Sequence, residues 1–277
     1  MASFPVINIP KWISENKDQF LPPVCNKLMY NEQLAIMYIG GPNIREDYHI
    51  EEGEEFFYMV SGDMVLKIVE KGVRRDILIK EGEVFLLPAR IPHSPQRQPN
   101  TVGLVIERRR DEDELDVLRY YVGKTTQPLY EKAFLCVDLG TQLRPIIEGY
   151  FASKEKQTGV PSKESTLERL PFELDLLTSV KAPFCLADKL KQVESTVPLF
   201  DGDSQFGIVV FTAGSSQEYA SNGDHWIWQI SGSSTVTLGE KEEVLKDSDT
   251  LLVPQGSNYK WVRAKDCKVI RVLQYRS

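Results

Sequence analysis

The segment DYHIEEGEEFFYMVSGDM, residues 47–64, places one histidine among several glutamates, immediately before a run of hydrophobic residues. The chain has only three histidines in 277 residues, and two of them, His49 and His93, lie in its first hundred. Glu55 follows His49 by six residues. Two imidazoles and one carboxylate on one side of a divalent metal are suited to ferrous iron that binds other molecules at its open positions. These residue types allow a metal site with His49, Glu55 and His93 as candidate ligands, and the motif spacing described below favours this set.

Two alternatives concern the individual ligands. His93 lies in RIPHSP, a segment that is also typical of a surface loop, and a single histidine there is ordinarily not a ligand. Glu51 is a rival to Glu55, because residues 49 and 51 of an extended strand share one face. The spacing of the wider motif, described below, favours Glu55.

Arg45, Arg97 and Glu107 are the polar residues expected beside this site. Arg45 precedes His49 by four residues and Arg97 follows His93 by four, so each has the strand parity of a predicted ligand. A guanidinium group binds a carboxylate through two hydrogen bonds, so two arginines beside a metal would hold an anionic substrate. Glu107 ends the apolar segment TVGLVIE, where it would bind or deprotonate a hydroxyl or an amine. For each of the three, an outward-facing salt bridge is the alternative.

Two blocks of short β-branched and aromatic segments must position these residues. The first block covers residues 33–107, the second begins at residue 207, and both are punctuated by Gly, Pro and Asp. Placing FFYMVSGDMVLKI on WIWQISGSSTVTL aligns Gly62 with Gly232. We therefore predict a mainly β chain with a duplicated β unit and a few helices.

The polar stretch SKEKQTGVPSKEST, residues 153–166, is the expected linker. It separates an N-terminal domain with the metal site, residues 1–160, from a C-terminal domain, residues 167–277. In the alignment of the two blocks, the three predicted ligands correspond to Tyr219, His225 and Tyr259. These are a poor ligand set, so we expect the second unit to have kept its fold and lost its metal.

Composition and charge are those of an ordinary globular protein. Hydrophobic residues make up 42% of the chain, charged residues 26%, and the net charge is −7. The basic run at 108–110 is followed at once by DEDE, so no nucleic-acid partner is expected. No segment approaches the roughly 18 apolar residues of a membrane span, and the N-terminus lacks the basic region of a signal peptide. The four cysteines form no CxxC pair, which favours free thiols and a cytosolic location.

The first block resembles the two signature motifs of the cupin superfamily. The matching spacings are His49-x5-Glu55-x6-Gly62 and Gly82-x5-Pro88-x4-His93. Glu51 stands where the second histidine of the first motif is usual, Arg90 replaces a glycine, and Arg97 occupies the place of the final asparagine. The resemblance implies two jelly-roll barrels of the cupin type, of which the second is degenerate.

Longer segments are similar to one family, the 3-hydroxyanthranilate 3,4-dioxygenases of the animal, single-chain type with two cupin barrels. They include PPVCNKLM, GGPNIREDYHIEEGEEFFY, GEVFLLPARIPHSPQR, NTVGLVIERRR and DLGTQL, and the similarity covers essentially the whole chain. The resemblance implies an Fe(II)-dependent ring-cleaving dioxygenase. Its reaction converts 3-hydroxyanthranilate and O2 to 2-amino-3-carboxymuconate semialdehyde, in the kynurenine route to quinolinate and NAD.

The resemblance also assigns roles to residues. It implies one Fe2+ per chain on His49, Glu55 and His93, and substrate contacts from Arg45, Arg97, Glu107 and Asn26. Arg45 and Arg97 would hold the substrate carboxylate, Arg45 would also face O2, and Glu107 would act on the amino and phenolic edge. A cytosolic monomer is expected, because the second barrel can cover the face that bacterial subunits use for dimerisation.

Two other functions stay open on the sequence. A metal-dependent cupin isomerase for a phosphorylated sugar would also need basic residues near the metal, but it would not need O2. A non-catalytic binding or storage cupin would have no reason to keep three metal ligands. Dependence on O2 separates the first alternative from the dioxygenase, and retention of the ligand set argues against the second.

Overall fold

The computed structural model describes residues 5–21, 25–137, 139–220 and 223–274, without the side chains of residues 139–141. Residues 22–24 of PPVCNKLM and residue 138 of DLGTQL therefore lie outside the described residues. Contacts divide the chain into two compact units. We call them the central unit, Asp18–Tyr30 and Ala35–Phe184, and the terminal unit, Met1–Lys17, Asn31–Leu34 and Cys185–Ser277.

Most elements follow one another with short connections, and one long connection covers residues 159–183. The chain starts with β1 (Ile7–Asn8), α1 (Ile9–Glu15) and a 3-10 turn (Lys17–Phe20). Next come β2 (Asn26–Asn31), β3 (Leu34–Gly40), β4 (Tyr48–Ile50), β5 (Glu55–Ser61), β6 (Met64–Glu70), β7 (Val73–Ile79), β8 (Glu83–Leu87), β9 (His93–Arg97), β10 (Val102–Arg108), β11 (Asp116–Tyr121) and β12 (Pro128–Phe134). Then follow α2 (Leu139–Ala152), α3 (Lys154–Thr158), β13 (Phe184–Cys185), α4 (Leu186–Lys191) and β14 (Val197–Pro198). The last strands are β15 (Phe206–Phe211), β16 (Gly214–Ala220), β17 (His225–Ser231), β18 (Ser234–Leu238), β19 (Lys241–Leu245), β20 (Asp249–Val253), β21 (Ser257–Arg263) and β22 (Lys268–Gln274).

The strands of the central unit form two sheets, in the orders β13-β8-β5-β10-β3-β2 and β12-β11-β4-β9-β6-β7. Strand β6 shows how they pack, because Met64, Leu66 and Ile68 are buried while the residues between them are partly exposed. Successive side chains of a strand point to opposite faces, so alternate apolar residues produce one buried face. These residues join apolar side chains of the other sheet, among them Phe57 and Phe85, in one core cluster.

The terminal unit repeats this arrangement. Its sheets have the orders β1-β20-β17-β22-β15-β14 and β16-β21-β18-β19, so β20-β17-β22-β15 repeats β8-β5-β10-β3. Gly62 and Gly232 both turn the chain between equivalent strands with positive φ, 69° and 74°, a conformation that favours glycine. The predicted mainly β fold with a duplicated unit is confirmed.

The compact units differ from the predicted domain boundaries. The predicted linker, residues 153–166, lies within the central unit, where Ser153 caps α3 through a hydrogen bond from the Lys156 amide. The Ser165 carbonyl accepts a hydrogen bond from the Glu131 amide at 2.7 Å, and Ser165 is buried. Polar residues that suggest a linker serve here as helix caps and turn formers. Among the described residues, no helix has both the length and the apolar character needed to cross a membrane.

Candidate metal centre

Three strands of the central unit bring the predicted ligands together. His49 in β4 lies directly opposite His93 in β9, and their ring centroids are 5.3 Å apart. Glu55 is the first residue of β5, in the other sheet. All three side chains are buried, and one ligand atom from each lies within 4.8 Å of the others. Side chains that are 44 residues apart in sequence therefore share one small polar space.

Hydrogen bonds orient these side chains. The Nε2 atom of His93 lies 2.7 Å from the Glu55 carboxylate, and its Nδ1 lies 3.1 Å from the Ile91 carbonyl. The Nε2 atom of His49 lies 2.7 Å from Asp116. Burial raises the pKa of Glu55, but the neighbouring His93 outweighs that effect and holds this pKa well below its usual range. Burial likewise lowers the pKa of His93, and Glu55 reverses the effect, so that this pKa is raised.

A second group of carboxylates adjoins the ligands. Glu51, Glu55 and Glu107 are buried, with one oxygen of each within 4.8 Å of the others. Glu107 in β10 lies directly opposite Glu55 in β5. Burial raises the pKa of Glu51 and of Glu107, and the positive charge of Arg110 only partly offsets this. Glu51, the rival ligand, thus lies beside the site and is paired with an arginine.

Arg110 balances the charge of this group. Its guanidinium lies 2.6 Å from Glu51, 2.5 Å from Glu107 and 2.9 Å from Asp116. Burial alone would lower the pKa of Arg110, but the carboxylates raise it well above its usual value. Burial also raises the pKa of Asp116, whereas His49 and Arg110 lower it to about 2. One arginine therefore connects the acidic group, through Asp116, to the predicted ligand His49.

Sequence reasoning missed the roles of Arg110 and Asp116, because the basic run at 108–110 was interpreted only as a positive charge that the following DEDE cancels. In the structure the side chains of Arg108 and Arg110 are largely buried, while Arg109 is exposed. Arg108 pairs with Glu114 and Arg110 with Asp116, each partner six residues further on. This repeated spacing across a tight turn is the signal that would have identified them.

Arg97 is the last residue of β9 and is 1% exposed. Its Nε and Nη2 atoms have no hydrogen-bond partner among the described residues. Burial lowers the pKa of Arg97 to about 10, with the charge of Glu55 acting in the opposite direction. A buried guanidinium that keeps free N–H groups is a strong recognition element for an anion.

The parity argument for Arg45 is wrong, because β4 begins only at Tyr48. A different contact brings Arg45 close to the ligands: the backbones of Asn43 and Arg97 exchange two hydrogen bonds, of 2.9 and 3.0 Å. Asp47 then holds the side chain, with Nε of Arg45 at 3.0 Å from Oδ2. Burial lowers the pKa of Arg45, but Asp47 and the more distant Glu55 raise it overall.

Asn26 is the first residue of β2 and is half-buried. Its neighbour Cys25 is buried, and its Sγ atom lies 3.6 Å from the Pro42 carbonyl. Burial raises the pKa of the Cys25 thiol, and Arg97 opposes that rise. The thiol is therefore close to Arg97 and weakly acidic, while a substrate contact from Asn26 stays a prediction.

The terminal unit has an equivalent position with different residues. Tyr259 lies opposite Leu238 as His93 lies opposite Ile68. Glu218, and not the predicted Tyr219, lies opposite Tyr259. The alignment of Tyr219 with the first ligand is wrong because the terminal unit has one more residue before β17, so that Tyr219 points outward and is 61% exposed.

These terminal residues are bonded to one another. Nδ1 of His225 lies 2.9 Å from the Tyr259 hydroxyl, and Nη1 of Arg271 donates to Glu218 at 2.6 Å. Burial, assisted by Arg271, lowers the pKa of His225 to about 4. A side-chain cation thus lies at the place that corresponds to the predicted ligands of the central unit.

Comparisons with known proteins agree with this site. The model of the family described as 3-hydroxyanthranilic acid dioxygenase matches residues 1–151, more than half of the chain. The 3-hydroxyanthranilate 3,4-dioxygenase of Xenopus tropicalis is 50% identical over 269 residues, which cover 95% of each chain. That of Homo sapiens is 48% identical over 274 residues, covering 97% of this chain and 96% of the relative.

One solved structure bears on the fold. It is a cupin 2 conserved barrel domain protein from Leptotrichia buccalis, with a TM-score of 0.56 and 11% sequence identity. The likeness covers 99% of this chain and 98% of that one. At this identity it concerns the fold alone, and it agrees with the predicted pair of cupin barrels.

Proposed function

Because the chain belongs to the 3-hydroxyanthranilic acid dioxygenase family, we propose that it is a ring-cleaving dioxygenase of the kynurenine route. Its reaction would convert 3-hydroxyanthranilate and O2 to 2-amino-3-carboxymuconate semialdehyde. The observation that carries the proposal is the buried His49, Glu55 and His93 cluster in the same barrel as Arg97, whose guanidinium keeps free N–H groups. A metal ligand set and an anion ligand in one barrel are what a chelating aromatic acid requires.

The donor set fits ferrous iron. Two imidazoles and one carboxylate are the ligands typical of non-haem Fe(II) oxygenases, and the three ligand atoms are close enough to share one ion. When bound, the iron supplies the O2 chemistry that side chains cannot perform. Asp116 and the Ile91 carbonyl contact ring nitrogens of the two histidines, and they would fix the orientation of both rings.

Arg97 would bind the substrate carboxylate. Its buried, unpaired N–H groups lose little on binding, since they have already given up their hydration. Arg45 would be the second cation, held by Asp47 on the segment that the Asn43–Arg97 backbone pair brings close. The two charges orient the ring by its carboxylate and leave its amino and phenolic edge toward the ligand cluster.

Glu107 would receive a proton from that edge. Burial raises its pKa, which makes it a better base than an ordinary carboxylate, and Arg110 holds its Oε2 atom at 2.5 Å. The other carboxylate oxygen, Oε1, would then accept a hydrogen bond or a proton from the phenolic hydroxyl. Asn26 would line the same space.

O2 uptake by protein reconstituted with Fe(II) under anaerobic conditions tests the proposal. Adding 3-hydroxyanthranilate should give stoichiometric O2 uptake and a ring-opened product, and a metal-free sample should give neither. Protein that holds iron and takes up no O2 would refute the dioxygenase and return attention to an isomerase or a binding protein.

Three further statements belong to the proposal. We infer one iron per chain, because the ligand cluster lies in the central unit and the equivalent terminal position carries Arg271. We also infer a monomer that works in the cytosol. Metal analysis per chain and sedimentation of the iron-loaded protein test the first two, and fractionation of cells tests the third.

A further inference from the structure

A cleft of about 330 Å³ opens in the central unit. Its walls include the start of β4, the outer face of the β6–β7 hairpin, the end of β11 and the helices α2 and α3. Its described lining includes Arg45, but none of the predicted metal ligands, nor Arg97 or Glu107. The cleft is therefore a separate space that shares one residue with the proposed substrate site.

The cleft has an excess of positive charge. Its described lining has four cations, Arg45, Lys67, Arg74 and Lys156, against the single carboxylate of Glu46. Lys156 is paired with Glu46 at 2.7 Å, and Arg45 is paired with Asp47 outside the lining. In the part of the chain that the structure describes, Lys67 and Arg74 have no carboxylate within salt-bridge distance. Asp76 lies directly opposite Lys67 and shares a strand face with Arg74, so the carboxylates of Glu46, Asp47 and Asp76 leave the four cations an excess of one positive charge.

Arg74 is held rigidly in place. Its guanidinium donates to the Thr125 carbonyl at 2.7 Å and to the Tyr48 hydroxyl at 3.1 Å, and it lies 5.0 Å from the ring centroid of Tyr121. These partners are neutral, so they position the charge without cancelling it. A cation that neutral partners hold in position attracts an anion without the entropy cost of ordering a flexible side chain.

Tyr120 supplies a polar group that lacks a partner. It is 2% exposed, and its hydroxyl has no hydrogen-bond partner among the described residues. The ring stacks on Tyr150, with centroids 3.5 Å apart, so its position is fixed. A buried hydroxyl without a partner costs free energy, and a ligand that accepts its hydrogen bond would recover that cost.

We propose that this cleft binds a small aromatic carboxylate, with Lys67, Arg74 and Tyr120 as the groups that recognise its carboxylate. The volume is at the lower end of the range for small-molecule sites and exceeds what an inorganic anion needs. The aromatic walls, which include Tyr48 and Tyr121, favour a ligand that has a ring beside its charge.

The shared Arg45 couples the cleft to the metal centre, and this second step rests on the proposed function. An anion in the cleft attracts the Arg45 guanidinium and weakens its hold on a substrate carboxylate. Coupling between two sites is reciprocal, so substrate bound at the metal centre also weakens binding in the cleft. Occupancy of the cleft should therefore raise the KM for the aromatic acid and leave kcat unchanged.

Benzoate binding to the full-length, iron-loaded protein tests the site by calorimetry under anaerobic conditions. The Arg97→Gln variant removes the main carboxylate ligand of the metal centre. Arg45 and the iron remain there, so the part of the remaining binding that depends on Lys67 reports on the cleft. In that background, Lys67→Gln should weaken benzoate by about tenfold, the worth of one charged hydrogen bond. Tyr120→Phe, which removes only the unpaired hydroxyl, should weaken it too. Lys80→Gln, at an exposed lysine after β7, is the matched control and should change nothing.

Three results would overturn the proposal. One is loss of all benzoate binding in Arg97→Gln alone, and another is binding that ignores both Lys67→Gln and Tyr120→Phe. The third is that inorganic phosphate binds as tightly as benzoate and depends equally on Lys67. This result would show that the cleft attracts anions without selecting an aromatic carboxylate. These binding results do not require turnover, so failure of the proposed dioxygenase reaction would be seen separately. In the kinetic arm, benzoate should raise KM less in Lys67→Gln than in the parent protein, and an equal effect in both would exclude the coupling.

Discussion

At the scale of single residues, the charge balance of the site depends on one arginine, because Arg110 pairs with three buried carboxylates. The sequence was sufficient to predict His49, Glu55 and His93, because three ligands at motif spacing leave a pattern. It was not sufficient for Arg110 and Asp116, since a mixed charge run is usually solvated and nothing in its composition shows that these two side chains are buried and paired. Strand parity was a correct guide for Arg97, which lies in a strand, and failed for Arg45, which precedes one.

Replacing Arg110 with glutamine should destabilise the protein and lower its iron content. The change leaves Glu51, Glu107 and Asp116 without their shared cation, and breaking a buried ion pair in this way costs about 3–5 kcal/mol. Urea unfolding and metal analysis measure the two effects. Arg109→Gln, at the exposed neighbour, is the control. Equal stability of the two variants would show that Arg110 does not balance the site.

Arg97→Gln should weaken substrate binding and leave the iron in place. Losing one charged hydrogen-bonding group costs about 1.5–3 kcal/mol, which corresponds to a KM about 10- to 150-fold higher. Steady-state kinetics with 3-hydroxyanthranilate and metal analysis of the same samples provide the check. Unchanged kinetics would remove Arg97 from the substrate site, and loss of iron would make its role structural.

At the scale of elements, the repeat was predictable because aromatic, apolar and glycine positions recur at one offset. The exact partner of each residue was not, since one additional residue before β17 moves Glu218 into the place where the alignment put Tyr219. Inside a strand such a slip exchanges the buried and exposed faces. The predicted linker, residues 153–166, lies within the central unit, and serines that cap a helix or form a turn there have the same composition as a free segment.

The lowered pKa of His225, at the start of β17, predicts that the stability of the protein depends on pH. Its pKa of about 4 in the folded chain lies below the ordinary value near 6.5, so between these values the unfolded chain binds a proton that the folded chain does not. Stability should therefore fall as the pH is lowered through this window. The charged groups around the ring are Arg271, which favours the neutral form, and Glu218 and Asp224, which favour the charged one.

Urea unfolding at pH 7 and pH 5 should show a smaller loss of stability for His225→Gln than for the parent protein. Other groups titrate in both proteins, so their contribution cancels in the comparison. If the two proteins lose the same stability, His225 does not change its protonation on unfolding.

At the scale of the whole molecule, the two units should respond differently to a chelator. A metal that binds only the folded state stabilises it, and the ligands lie in β4, β5 and β9. Removing iron should therefore speed amide hydrogen exchange in these strands and leave β16, β17 and β21 unchanged. Exchange measured by mass spectrometry with and without the chelator decides the matter, and equal acceleration in β17 would contradict it.

The Arg271–Glu218 pair has a consequence for a chain that is short of iron. An ion must be captured from the surroundings and can be lost to dilution, competition or oxidation, whereas an arginine is synthesised with the polypeptide. The terminal unit therefore balances the charge of Glu218 with a group that does not depend on the iron supply. In a cell that is short of iron, a newly made chain should then have a terminal unit in which Glu218 is already paired with a side chain. Only the central unit should still lack the cation for its predicted ligands.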